Sequence, residues 1–79
     1  MLSVNLITPD KMLFSGVVKS VRFPGASGSF MVLKHHAPII SSLMKGEIVC
    51  KDAEGAHIFP ISSGFVKVEN NVVSVCVEL

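Results

Sequence analysis

The sequence predicts an all-β protein, a small flattened β-sandwich or barrel of about ten short strands in two packed sheets. Apolar and polar residues alternate along much of the chain, which is typical of strands that bury one face. Turn-forming residues interrupt these runs at short intervals, and no segment keeps a helical period over three turns. The 79 residues are too few for two hydrophobic cores, so residues 1–79 are predicted to form a single domain.

The clearest strands lie at the two ends of the chain. Leu2–Leu6 places apolar residues at every second position, and Val73–Leu79 does the same. Between them, Val17, Val21 and Phe23 are predicted to share one face of the sheet, because odd-numbered positions of an extended segment point the same way. The segment 39–44 is short and contains two serines, so it is predicted to be a turn or an irregular strand.

Glycine, proline and asparagine mark the predicted connections between strands. Asn70–Asn71 stands between two alternating segments and predicts a two-residue hairpin, since asparagine tolerates positive φ. Tight turns are also predicted where glycine follows serine or proline, and Pro38, which has no N–H, is expected to end a strand or to lie at a sheet edge. The predicted structural turn positions are Gly16, Pro24, Gly25, Pro38 and Gly64.

The composition disfavours nucleic-acid binding. The net charge is +1, the basic residues are scattered, and the chain has no Trp or Tyr to stack on bases. Hydrophobic residues make up 49% of the chain and charged residues 16%. A domain this small buries only part of its apolar content, which hints that some of it contacts a partner.

The sequence predicts a protein that lies in the cytosol or faces it. The longest apolar run, Phe30–Leu33, is far shorter than the roughly 20 residues that span a bilayer, and the N-terminus lacks the pattern of a signal peptide. Cys50 and Cys76 are isolated, and both are predicted to be small buried hydrophobes; a disulfide would require export of the protein.

Metal binding by the histidines is disfavoured. In an extended segment, His35 and His36 point to opposite faces, and His57 lies more than twenty residues further along the chain. A zinc or iron site needs three or four convergent ligands. The adjacent histidines are therefore predicted to be structural or interface residues, and no metal is predicted.

Catalysis by the chain itself is also disfavoured. No GxSxG motif is present, and neither cysteine is predicted at a helix N-terminus that would lower its pKa. The glycine-rich stretch 23–28 leads into another strand, so it lacks the helix dipole of a phosphate-binding loop and is predicted to be a wide turn. We predict no enzyme activity and no cofactor.

Several segments together resemble one family. ITPDKMLFSG, VRFPGASGSFMVLKHHAPIISSL and ISSGFVKVENNVVSVCVEL occur in this order along essentially the whole chain. They are similar to the N-terminal β-sandwich domain of the epsilon subunit of F-type ATP synthases. The most specific elements are the sequences FSG, PG followed by G three positions later, HAP and GFV.

The resemblance implies a non-catalytic rotor subunit of the central stalk, which links the gamma subunit to the c-ring and couples proton translocation to ATP synthesis. It implies a peripheral location on the cytoplasmic face of the bacterial inner membrane, without direct insertion into the membrane. Family members commonly continue into a C-terminal helical hairpin. If the protein naturally ends at Leu79, the resemblance supports coupling and gives no basis for inhibition or nucleotide sensing; if the chain continues, that question is open.

The resemblance also implies contact residues. Gly28, Ser29, His35 and His36 would lie on loops near the end of the domain that meets the c-ring. Ser41 and its neighbours would contact gamma.

Two other interpretations remain open. The chain could be a free-standing small β-barrel module that binds a peptide or nucleic acid, although such a module usually concentrates aromatic or basic residues on one face. A degenerate cupin-like metal enzyme built around His35, His36 and His57 is the third interpretation, and metal analysis of the purified protein tests it.

Overall fold

Nine strands carry the fold. The structure is a computed structural model that describes all residues, 1–79. The strands are β1 (Leu2–Ile7), β2 (Met12–Val18), β3 (Ser20–Gly25), β4 (Gly28–Leu33), β5 (Ile39–Leu43), β6 (Gly46–Asp52), β7 (Gly55–Ile61), β8 (Ser63–Glu69) and β9 (Val72–Glu78). There is no helix of the length and apolar character needed to cross a membrane.

The strands form two layers that face each other. The five-stranded layer has the order β2-β1-β9-β8-β5, and the four-stranded layer has the order β4-β3-β6-β7. The pair Gly25 and Leu43 joins β3 to β5, so the two layers belong to one curled sheet. The predicted all-β sandwich is confirmed, with nine strands where about ten were expected.

The core lies between the layers and is entirely apolar. Its buried members alternate along each strand, as the period-two pattern predicts, and no polar or charged side chain is buried with them. They are Leu2, Val4, Leu6, Val18, Val21, Phe23, Val32, Leu43, Ile48, Cys50, Ile61, Val66, Val68, Val73, Val75 and Val77. β1 and β9, the two most regular predicted strands, pair in parallel at the centre of the five-stranded layer.

Val17 does not share a face with Val21 and Phe23, contrary to the prediction. A bend at Lys19 separates β2 from β3 and shifts the phase of the alternation. Val18 therefore points into the core, and Val17 is exposed on the outer face.

Four of the five predicted turn positions lie in strands, and Gly16 and Gly64 are two of them. Gly16 is inside β2 and pairs with Val4, and Gly64 is inside β8, after a bend at Ser62. Both positions meet a close neighbour: a Cβ on Gly16 would lie 3.3 Å from the Phe14 ring, and one on Gly64 would lie 2.6 Å from the Cys76 carbonyl oxygen. These glycines let neighbouring atoms pack closely inside strands, and the chain does not turn at either of them.

The turn predicted at Pro24 and Gly25 lies directly after these two residues in the sequence. Both residues belong to β3, and the turn itself is Ala26–Ser27, between the paired Gly25 and Gly28. Pro24 is tolerated because the pairing of β3 with β6 ends before it, so no ladder hydrogen bond needs its missing N–H.

The remaining connections agree better with the sequence. Pro38 lies in the loop directly before β5, and does not end a strand or lie at a sheet edge; at this position its missing N–H leaves no ladder hydrogen bond unmade. Asn70 and Asn71 form the predicted hairpin turn with φ of 53° and 63°. The segment 39–44, predicted to be irregular, contributes the regular strand β5, which pairs with β8.

Candidate interaction surface

The domain has two ends, separated by the length of β4. The Gly28 end carries the β3–β4 turn with Gly28 and Ser29, and the His36 end carries the β4–β5 loop with His35 and His36. Six residues of strand place the two ends about 20 Å apart. The four residues expected to meet one partner at one end therefore lie at opposite ends, because β4 crosses the domain between them.

The His36 end is held together by internal hydrogen bonds. His35 adopts a positive φ of 66°, and its N–H donates to Oδ1 of Asn71 over 2.7 Å. The His36 N–H donates to the Leu33 carbonyl oxygen, and ring Nδ1 lies 2.7 Å from the Ala37 carbonyl oxygen, to which it donates. The β4–β5 loop is thus fastened to the turn between β8 and β9.

The third histidine lies apart from this pair. His57, on β7, donates from Nε2 to Oδ2 of Asp52 over 2.9 Å, and its ring packs against Phe14 with centroids 5.3 Å apart. The structure does not bring the three histidines together, and no group of three or more His, Cys, Asp or Glu side chains converges on one point.

The cysteines are placed differently from each other. Cys50 is buried, and this burial, with the nearby Asp52 carboxylate, raises the pKa of its thiol to about 11. The thiol stays protonated near neutral pH, so Cys50 is a packing residue as predicted. Cys76 is half-buried, and its side chain points to the outer face of β9.

The Gly28 end has a turn built only of small residues. Gly25, Ala26, Ser27 and Gly28 form it, and the last three are exposed together with Ser29. Gly28 has a φ of 124°, and no atom lies within 4 Å of where its Cβ would stand. A flat partner can therefore approach the backbone closely at this turn.

The outer face of the five-stranded layer is unusually apolar. Exposed large hydrophobic side chains are present on all five of its strands. This surface, called the five-strand face below, includes Ile7, Met12, Val17, Ile40, Phe65 and Val72. Isolated exposed hydrophobics are ordinary on protein surfaces, whereas several on one face, with Phe65, Ile7 and Met12 in one row across the strands, indicate an interaction site.

A groove of about 450 Å³ runs across the middle of the five-strand face. Ile7 and Phe65 stand over it, and Cys76 lies between them, because both residues pair with Cys76 across the ladder. Lys67 supplies the only charge along the groove. Its size and lining suit an apolar side chain of a partner.

Ser41 itself does not point out of this face. It pairs with the buried Val66 and shares the inner side of β5 with Ile39 and Leu43. Ile40 and Ser42 point outward, and Ile40 is the most exposed large hydrophobic residue of the chain at 75%. Ile40 and Phe65 were not among the predicted contact residues, although alternation with the buried Leu43 and Val66 predicts that both are exposed.

The chain matches a family model along its whole length, residues 1–79, described as the beta-sandwich domain of the ATP synthase delta/epsilon chain. It is 42% identical over 67 residues to the ATP synthase epsilon chain of Caulobacter vibrioides, an alignment that covers 85% of this chain and 78% of that one. It is 34% identical over 74 residues to the epsilon chain of Leptospira interrogans, covering 94% of this chain and 58% of the other. The chain therefore spans less than two thirds of the Leptospira relative.

Solved structures share the fold. A chain in the central stalk and c-ring of the Tetrahymena thermophila mitochondrial ATP synthase matches with a TM-score of 0.81 and 19% identity, over 99% of this chain and 63% of that chain. A chain in the Euglena gracilis mitochondrial enzyme matches with a TM-score of 0.89 and 22% identity, over 96% and 49%. The match to the family model along residues 1–79 and the 42% identity to a relative show that the chain belongs to the ATP synthase delta/epsilon family, as its β-sandwich domain.

Proposed function

We propose that this chain is a non-catalytic rotor subunit of the central stalk of an F-type ATP synthase. It links the gamma subunit to the c-ring and thereby couples proton translocation to ATP synthesis. Membership of the family supports this role, and the single structural observation that carries it is the apolar five-strand face. A rotor link needs a stiff body with partner surfaces, and a packed two-layer core supplies the stiffness.

The gamma contact is proposed on the five-strand face. Ile40 and Phe65 project from neighbouring strands β5 and β8, and Ile7 extends the apolar surface onto β1. Removing these side chains from water stabilises a complex by roughly 25 cal/mol per Å² of apolar area. Ser41 contributes indirectly, since it lies between the outward-facing Ile40 and Ser42 on β5.

The c-ring contact is proposed at the Gly28 end, through Gly28 and Ser29. The small side chains of this exposed turn let a partner approach its backbone closely, and the Ala26 N–H donates to the Ser42 carbonyl oxygen within the domain. At the other end, the backbone N–H groups of His35 and His36 already donate to Asn71 and Leu33. We therefore assign His35 and His36 to the shape of the His36 end rather than to the ring contact.

This arrangement places the domain beside the membrane without entering it. It would sit peripherally on the cytoplasmic face of a bacterial inner membrane, held there by gamma and the c-ring. The rotor role requires no catalytic group and no cofactor on this chain.

Size-exclusion chromatography with light scattering tests the gamma contact, with the chain mixed with the gamma subunit from the same genome. We expect a 1:1 complex for the native chain. Phe65→Glu places a charge in the middle of the five-strand face and is expected to weaken the complex by at least about tenfold. Ile58→Glu is the matched control, because Ile58 is equally exposed on the other layer. Absence of a complex at micromolar concentrations, or equal losses in the two variants, would contradict the proposal.

Cross-linking in the assembled enzyme tests the ring contact. Ser29→Cys and His36→Cys, each combined with Cys76→Ser, carry a thiol-linked photo-cross-linker at opposite ends of the domain. We expect ring cross-links from position 29 and none from position 36. The reverse result would show that the domain is inverted. Gly28 is a poorer probe, because a side chain there strains its positive φ.

A further inference from the structure

We propose that one corner of the four-stranded layer is a docking site for an acidic amphipathic helix of another protein. The corner contains four of the chain's seven basic residues, together with two exposed apolar side chains. The site lies on the opposite layer from the five-strand face and is independent of the proposed gamma contact. We call it the basic corner, and its members are Lys19, Arg22, Met31, Leu33, Lys34 and Lys51.

Strand register brings these residues together. On the outer face, Arg22 stands between Met31 of β4 and Val49 of β6. Lys51 and Leu33 flank Ser20 in the next row, which puts Arg22 and Lys51 diagonally across from each other on neighbouring strands, about 7–8 Å apart.

Two more lysines complete the corner at the His36 end. Lys34 directly follows Leu33, at the start of the β4–β5 loop. The Lys19 N–H donates to the Lys51 carbonyl oxygen over 2.7 Å, so Lys19 lies beside Lys51. Four cationic residues from three separate segments of the sequence thus share one corner of the fold.

None of the four cations has a carboxylate oxygen within ion-pair distance. The two ion pairs of the structure join His57 to Asp52 and Lys67 to Glu69. Unneutralised like charges repel one another, and carboxylates of a partner would relieve this repulsion. Met31 and Leu33, the latter 53% exposed, offer apolar contact on the edge strand β4, beside Arg22.

The width of the four-stranded layer fits one α-helix that carries acidic and apolar residues. The four strands span about 14 Å between the outer two, slightly more than the diameter of an α-helix. An apolar stripe at helical spacing would cover Met31 and Leu33 while carboxylates beside the stripe reach Arg22 and Lys51. Such contacts would be charge-assisted and bidentate at Arg22.

An anionic membrane surface fits the same corner less well. Met31 lies directly beside Arg22 in one row of the sheet, so its side chain does not project beyond the charged ones into the acyl layer. Glu47, on the outer side of β6, and Glu54, in the next turn, would face the same uniform negative surface. A helix presents its carboxylates only where the cations stand.

The test titrates the 79-residue chain with a fluorescent 18-residue peptide that carries leucine at i, i+3, i+4 and i+7 and glutamate on both flanks. A peptide of the same pattern with lysine for glutamate is the ligand control. We expect the acidic peptide to bind and the basic one not to. Raising NaCl from about 50 mM to about 500 mM should weaken binding strongly, since the Debye length falls severalfold.

Matched variants locate the site. Arg22→Glu with Lys51→Glu is expected to weaken peptide binding at least about tenfold. Lys11→Glu with Lys67→Glu makes the same change of charge outside the corner and should leave binding nearly unchanged. Arg22→Gln with Lys51→Gln gives a milder form of the corner variant that keeps the fold if the charge reversal does not.

Three outcomes overturn the proposal. The acidic peptide fails to bind, or the Lys11 and Lys67 variant loses binding as much as the corner variant. In the third outcome, the native chain co-sediments with phosphatidylcholine–phosphatidylglycerol vesicles, the corner variant does not, and the peptide stays unbound. That result assigns the basic corner to a membrane surface. No arm of this test uses gamma, so failure here leaves the proposed rotor role untouched.

Discussion

Gly64 shows how a single missing side chain sets the distance between two strands. It stands in β8 opposite Val77 of β9, in the five-stranded layer. A Cβ at this position would lie 2.6 Å from the Cys76 carbonyl oxygen and 2.9 Å from Cγ1 of Val77. Because the carbonyl oxygen belongs to the backbone, relief requires β8 and β9 to move apart.

Gly64→Ala is therefore expected to destabilise the domain by about 1–3 kcal/mol, the usual cost of overpacking. In a domain of this size each kcal/mol lowers Tm by roughly 4–8 °C, so thermal unfolding followed by circular dichroism resolves the change. Gly16→Ala is the matched control. Its nearest neighbour, at 3.3 Å, is the end of the Phe14 side chain, which can rotate away. A Gly16 variant that loses as much stability as the Gly64 variant would refute this explanation.

Asp52 links the stability of the β6–β7 hairpin to pH. The hydrogen bond from His57 Nε2, together with that from the Glu54 N–H, lowers the pKa of its carboxyl below the ordinary value of 3.8. A carboxyl whose pKa is lower in the folded state contributes stability above its unfolded pKa. This contribution is lost as the pH falls through the folded pKa.

We expect the free energy of unfolding of the native chain to fall below about pH 4 more steeply than that of Asp52→Asn. The asparagine variant cannot protonate at this site, and it should be the less stable protein above that pH. Urea unfolding between about pH 2 and pH 6 measures the difference. Asp10→Asn is the control, since the Asp10 carboxylate makes no hydrogen bond in the β1–β2 loop. Parallel curves for the native chain and the Asp52 variant would contradict the linkage.

At the scale of elements, the β8–β9 hairpin also shapes the loop that carries the two histidines. Asn70 and Asn71 both adopt the left-handed conformation that the two-residue turn requires. Asn71 has a second task, because its side-chain Oδ1 accepts the hydrogen bond from the His35 N–H. His35 has a positive φ itself, and this bond helps to hold it there.

Substitutions of Asn71 separate the two tasks. Asn71→Gly keeps the turn but removes the acceptor, so we expect faster amide exchange at His35 with little change in global stability. Asn71→Ala loses both the acceptor and the residue suited to the turn. It should lower the free energy of unfolding by about 1–2 kcal/mol, the penalty of a left-handed conformation for a residue with a Cβ. Asn71→Asp keeps both and serves as the control. Amide exchange followed by NMR measures the loop, and unchanged protection at His35 in the glycine variant would show that the bond has no structural role.

The elements were predictable where local pattern alone decides them. Alternation identified β1 and β9, and the Asn-Asn pair identified the hairpin connection between β8 and β9, because both signals act over a few residues. The bend at Lys19 was not predictable, so Val17 was assigned to the wrong face. Gly16 and Gly64 carry the same local signal as turn glycines, and only the neighbours across the sheet distinguish them.

At the scale of the whole molecule, the candidate contacts depended on long-range register that no local pattern contains. Gly28 and His36 are close in sequence, yet β4 carries the chain across the domain between them. Ile40 and Phe65 lie diagonally across neighbouring strands only because β5 pairs with β8. The basic corner likewise collects Arg22 and Lys51 from strands separated by β4 and β5.

A domain of 79 residues has a small core, and this one leaves much apolar surface outside it. The outer side chains Ile40 and Phe65 contribute nothing to the isolated fold comparable to the buried Val66 and Leu43 on the same strands. Their burial by a partner adds a stabilising term that only the complex has. The stability of the domain should therefore depend on the partner that covers this face.

We expect the free energy of unfolding of the chain to rise with gamma concentration by about 2.7 kcal/mol at a hundredfold excess over Kd. Hydrogen exchange of the core strands, with isotopic label only on this chain, measures the rise without interference from gamma. Phe65→Glu should abolish it, and Ile58→Glu should preserve it, because Ile58 lies on the other layer. If gamma protects the native chain and the Phe65 variant equally, another surface makes the contact and the five-strand face needs a different partner.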